Sequence, residues 1–151
     1  MGESRIAAWR YAWAFPWAFP NTALGLVGVL LTHLSGGEVR RYQGTLEASG
    51  GFARWFLRRV VGAQAMTLGH VILGVTPLAL LRCRAHERAH VRQYEQWGPF
   101  FLPAYFLASF WAACRGRHYY RDNWFELDAE RSERSERAAR SGLPGVRGYW
   151  H

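Results

Sequence analysis

At 151 residues the chain has the size of one domain, enough for a single core and too little for two. Half of its residues are hydrophobic and 16% are aromatic, which excludes the charge-rich, aromatic-poor composition of a disordered protein. The formal net charge is +8 and its basic side chains, histidine apart, are all arginine, so an anionic membrane surface and nucleic acid are both admissible partners.

Taken in chain order, the first feature is a run from Tyr11 to Gly37 without acidic or basic side chains other than His33. Pro16 and Pro20 are expected to cut it. What remains, Thr22 to Ser35, predicts a helix capped by Asn21 or Thr22 and stopped by Gly36 and Gly37. Its about 14 residues fall short of the roughly 20 that a membrane span needs. With no cleavage site after it, the run over residues 12–35 reads either as a buried helix or as a membrane-surface anchor. The "EVRRYQGTLEASGG" that follows predicts two short strands joined by a turn, "FARWFLRRV" (Phe52 to Val60) fits helix or strand, and Ala65 to Gly74 fits a strand.

The next helix is framed by Thr76 as N-cap, Pro77 at the first helical position, and Gly98 with Pro99 at the end. Helical spacing puts His86, His90, Gln93 and Trp97 on one face, with Leu80, Cys83, Glu87, Val91 and Tyr94 on the adjoining one. A second uncharged run ends at Arg115, with Pro103 expected to start its helix. The last helix is predicted from Asp122 or Asn123 to near Arg140, with Gly142 as its stop. Its Glu130–Arg134 and Glu133–Arg137 spacings mark a solvated outer face. Residues 141–151 read as a loose tail behind one domain over residues 1–140. Cys83 and Cys114 form no C-x-x-C pair, which argues against a disulfide framework and against a cysteine zinc site. The expected location is cytoplasmic or membrane-associated.

The chemistry lies in "HERAH", His86 to His90. Two histidines one helical turn apart can aim their imidazoles at one ion, the separation that tetrahedral zinc requires. Glu87 beside them can serve as general base towards a water activated by that metal. A catalytic zinc needs a third protein ligand, and His118, Asp122, Glu126, Asp128 and Glu130 are the downstream candidates. Glu126 is the strongest because hydrophobic neighbours would bury its turn. It also sits three residues after Asn123, where it could instead close a capping box. His118 and Tyr120 are positioned to stabilise an oxyanion, although packing or a loop hydrogen bond also suits them. His33 and His70 read as structural.

The strand "TLGHVILG", the "HERAH" helix, and a downstream helix with Glu126, Ala129 and Glu130 resemble the gluzincin metallopeptidases, in particular the minigluzincin type and the membrane-linked CAAX-processing proteases. The likeness spans roughly Ala65 to Ala139. It implies His86, His90 and Glu126 as zinc ligands and Glu87 as base. It further implies that the strand before the motif helix is a sheet edge that pairs with extended substrate, here Thr67, Leu68, Gly69, His70 and Val71. The acidic residue after the alanine is aspartate in those relatives and Glu130 here. The expected fold is therefore α+β, a mainly helical zincin-like domain with a short sheet, and the expected activity zinc-dependent hydrolysis of a peptide or unfolded protein segment. The alternatives are a non-catalytic basic module that uses Arg40, Arg41, Arg54, Arg58 and Arg59, or a zincin-like fold without turnover. Those arginines match no nucleic-acid motif, which weighs against nucleic acid as partner.

Overall fold

The computed structural model describes residues 3–141, with side chains described for residues 18–139 and 141. The expected loose tail therefore falls, apart from Ser141, outside the described residues. Helix α1 runs from Glu3 to Leu34 without a break, so Pro16 and Pro20 do not cut it. A proline inside a helix costs about 3 kcal/mol, and contacts on both sides of Pro20 offset that. Before it, Ala18 is fully buried in a cluster with Tyr94, Phe101 and Phe125. After it, Asn21 donates to the Gly98 carbonyl at 3.0 Å, and Thr22 donates to the Ala18 carbonyl at 3.0 Å, so neither expected cap residue caps.

Strands β1 (Glu38–Tyr42) and β2 (Thr45–Ser49) form the first hairpin. Gln43 and Gly44 both have positive φ (43° and 87°), the type I′ turn that matches strand twist. Helix α2 (Gly51–Phe56), continued by a π turn at Leu57–Val61, crosses over to the second half of the sheet. The stretch expected as one strand over Ala65 to Gly74 is a hairpin, β3 (Ala65–Leu68) and β4 (Val71–Gly74). Its tip is Gly69-His70. Gly69 (φ 60°) takes the left-handed conformation that this tight turn requires, and it lies so close to α1 that an added Cβ would fall 2.2 Å from Thr22 Oγ1.

The sheet order is β1-β2-β4-β3, with β2 and β4 parallel and both hairpins antiparallel. Strand alternation then assigns the two faces. Leu46, Ala48, Val71 and Leu73 join Ala53 and Leu57 in a core on one face, the side on which α1 brings Gly25 against Val71. Ile72 on the other face packs with Leu80 and Val91. Those residues belong to α3, Pro77–Trp97, which Thr76 caps by accepting the Ala79 amide at 3.1 Å. The sheet thus lies between α1 and α3. A 3-10 turn at Gly98–Phe100 leads into α4 (Phe101–Cys114), which begins before Pro103, and α5 (Trp124–Arg140) follows from Asn123 as N-cap.

Two helices have their large apolar residues on the wrong side for water. Along α1, Leu24, Val27, Leu30 and Leu34 are each more than half exposed, while Gly25 and Gly28 face the sheet. Along α4, Phe106, Leu107, Phe110 and Trp111 are 60% exposed or more, while Phe101 and Ala112 are buried. Among the described residues, no helix is long and apolar enough to cross a membrane.

Candidate metal centre

Helix α3 carries His86 and His90 one turn apart, and α5 delivers Glu126 from its first turn. The three offer donor atoms that all lie within 4.8 Å of one another. The two imidazole Nε2 atoms are 3.2 Å apart. Glu126 presents Oε2 to His86 Nε2 at 3.1 Å and Oε1 to His90 Nε2 at 3.4 Å. Ligands held by a tetrahedral zinc at about 2.0–2.1 Å lie about 3.3 Å from each other. The histidine pair and the distance from each imidazole to its nearer Glu126 oxygen all fall near that edge length, so the donor set suits the ion in size and chemistry.

Supporting hydrogen bonds decide which nitrogen of each ring faces the centre. The Gln93 amide donates to the Phe125 carbonyl at 3.0 Å and to Asp128 at 2.9 Å, which leaves its Oε1 to face His90 Nδ1 at 2.8 Å. An acceptor there places the His90 proton on Nδ1 and leaves Nε2 with a bare lone pair. Glu133 lies 3.6 Å from His86 Nδ1 and favours the same tautomer in that ring. Two lone pairs and a carboxylate therefore point at one small volume, which calls for a cation or for protons. The Tyr105 hydroxyl, from α4, donates to Glu126 Oε1 at 2.6 Å and anchors the oxygen that also faces His90.

The electrostatics agree. Burial would raise the Glu126 carboxyl, but hydrogen bonds from His86 and His90 when these are protonated at Nε2, and from Tyr105, hold it well below the usual carboxylate range. Burial is the largest influence and would lower both histidines, but the Glu126 and Glu87 carboxylates together outweigh it and leave each above its ordinary value. Glu87, only 6% exposed, is pushed up, chiefly by burial. Thr67 Oγ1 donates to Glu87 Oε2 at 2.7 Å and fixes its orientation beside the two histidines. Burial and then the nearby Glu126 carboxylate also raise the Tyr120 hydroxyl, which stands at the more open rim.

The capping-box alternative for Glu126 is not used. Asn123 caps the helix alone, accepting the Phe125 amide at 2.9 Å, while its own N–H donates to the Tyr120 carbonyl. The other downstream candidates lie elsewhere. Asp128 holds Gln93, Glu130 pairs with Arg134 on the outer face, and Asp122 accepts the His118 amide. His118 Nδ1 accepts the amides of Tyr120 and Arg121, which ties its ring into the turn. His70 is structural, between Thr22 and Glu95.

The expected substrate edge needs correction. Only Thr67 and Leu68 lie on the edge strand β3; Gly69 and His70 form the turn, and Val71 is paired on both sides, with Leu46 and with Leu68. Thr67 and Leu68 are each 6% exposed, and the Tyr94 hydroxyl donates to the Thr67 carbonyl at 3.1 Å. The Tyr94 hydroxyl of α3 thus occupies one backbone acceptor of β3. Of the basic residues, neighbours Arg40 and Arg41 point to opposite faces of β1.

Helical spacing puts Gln93 on the histidine face without revealing its role, and Tyr105 carries no such signal. The i, i+3 spacing from His90 could have flagged Gln93. Nothing local distinguishes Tyr105 from the aromatic residues around it. His86-Glu87-x-x-His90 with Glu126 forms a metal-binding cluster consistent with a gluzincin-type zinc peptidase. Comparison with protein-family models, curated proteins and solved structures finds no match.

Proposed function

We propose that the chain is a zinc-dependent peptidase. The observation that carries this reading is the convergence of two imidazole lone pairs and one carboxylate at tetrahedral spacing, beside a buried glutamate. His86, His90 and Glu126 would hold the ion. When bound there, zinc acts as a Lewis acid that polarises a peptide carbonyl and acidifies water. Glu87 takes the proton of the attacking water and passes it to the leaving amine. A carboxyl raised by burial suits both halves of that transfer. Thr67 keeps Glu87 aimed, and Tyr120 at the rim donates to the oxyanion that develops on the carbonyl oxygen. The substrate is a peptide or unfolded segment that enters at the rim formed by His86, Glu133 and Tyr120.

Two measurements test this. Purified protein should contain close to one zinc per chain by elemental analysis. Glu87→Gln should keep that zinc and lower cleavage of a quenched fluorescent peptide library by about a thousandfold. Metal-free protein that cannot be loaded, or full cleavage by the glutamine variant, overturns the reading.

A further inference from the structure

We propose that the outer face of α4 docks on an anionic lipid bilayer. The sequence Phe101–Cys114 contains no charged residue, and the helix distributes its side chains in reverse of a water-facing helix. Phe106, Leu107, Phe110 and Trp111 follow the i, i+1, i+4, i+5 rows of one face and are all strongly exposed. Phe101, Tyr105 and Ala112 lie on the opposite face, where Tyr105 bonds to Glu126. Four large apolar groups outward, with Phe101 alone among Tyr105 and Ala112 inward, resembles the arrangement of a helix whose surroundings are hydrocarbon.

Charge identifies the partner. Between Pro99 and Arg121 there is no acidic residue, and Arg115, Arg117 and Arg121 follow directly on the helix. All three are exposed, and no acidic side chain is paired with them among the described residues. The Arg115 guanidinium lies over the Trp111 ring, 4.5 Å from its centroid. An exposed apolar stripe that ends in tryptophan and arginine matches the boundary between acyl chains and negatively charged headgroups. The helix is about 21 Å long, too short to span, so it lies in the interface. Because the inward face of α4 touches Glu126, docking brings the metal centre to about one helix diameter, roughly 10 Å, from the lipid surface. Taken with the peptidase reading, on which this last step rests, the substrate is a peptide segment next to a membrane.

Docking is read independently of cleavage by floating the full-length Glu87→Gln protein with vesicles. Binding to phosphatidylcholine vesicles containing about a third phosphatidylglycerol should exceed binding to pure phosphatidylcholine by on the order of a hundredfold, about fivefold per arginine. The Arg115→Ser/Arg117→Ser/Arg121→Ser variant should lose that preference. Leu107→Glu/Phe110→Glu should abolish flotation on both vesicle types while keeping the zinc content and helical circular dichroism of the parent. Absence of flotation by the parent, or unchanged flotation by the glutamate variant, overturns the proposal. So does a stable dimer in solution that the glutamate variant splits, because the face would then belong to a second copy of the chain. If the peptidase reading alone is wrong, flotation persists while the unsubstituted protein, loaded with zinc, cleaves no peptide.

Discussion

Helices α3 and α4 follow one another, joined only by a 3-10 turn, and they treat the same kinds of residue in opposite ways. In α3, Leu80, Val91 and Tyr94 turn inwards, and the outer side mixes Arg82 and Arg92 with exposed Leu78 and Leu81. In α4, phenylalanine, leucine and tryptophan turn outwards, and the inward side keeps a tyrosine hydroxyl for Glu126. The hydrophobic effect organises α3 against the sheet, whereas α4 stays seated through a few aromatic contacts and hydrogen bonds. One is Tyr105 to Glu126, and the other runs from Asn123 to Ser109 and to the Tyr105 carbonyl. Hydrophobicity alone therefore does not say what a helix faces; the side on which the large residues lie does.

The strongest challenge to this contrast is removal of a ligand from α3. His90→Ala should eliminate stoichiometric zinc, measured by titration with a chromophoric competitor, a larger loss than the roughly 10–100-fold expected when only an outer support is removed. Matched truncations test the packing directly. Leu80→Ala should destabilise the protein by about 2–5 kcal/mol in denaturant unfolding, and Leu107→Ala should stay within about 0.5 kcal/mol. Equal costs would mean that the outer face of α4 is covered in solution. Supports on the two helices can then be ranked. Gln93→Ala should weaken zinc about 10–100-fold because His90 loses its tautomer lock, and Tyr105→Phe should cost about tenfold or less, since it removes one of several bonds to Glu126.

The smallest effect is on pH dependence. His86 and His90 are raised above their ordinary 6.5, so in metal-free protein their contribution to stability is complete below that value and is lost as pH rises through the raised folded values. Glu87, also raised, acts in the same direction from its ordinary 4.5 upwards. Thermal unfolding of the metal-free protein should therefore show a midpoint that falls as pH rises above 6.5. Added zinc, which takes the place of those protons, should reverse that slope. A metal-free protein whose midpoint climbs over the same range would contradict the charge arrangement at the centre.

Much of α3 was legible before the fold was known, because its signals are local. Thr76, Pro77 and Gly98 set its ends, and the four-residue spacing of His86 and His90 needs only helical geometry. Glu126 was legible in part, since third-position capping and metal binding ask for the same residue, and only the path of Asn123 and the nearness of α3 separate them. The continuity of α1 was not legible. Local chemistry at Pro16 and Pro20 argues for a break, while Ala18 and Gly25 oppose it through partners more than forty residues away. The occupied carbonyl of Thr67 was not legible for a similar reason, as the Tyr94 hydroxyl that reaches it comes from another element.

The cluster joins residues forty positions apart in the chain, with its histidines on α3 and its carboxylate on α5. A cation seated between them stitches the C-terminal helix to the body of the protein. A strong chelator should then act as a selective loosening agent, freeing α5 and the turn before it for proteolysis while the four-stranded sheet and α1 stay closed. Metal supply would decide not only whether this chain can react but also how long its C-terminal part survives.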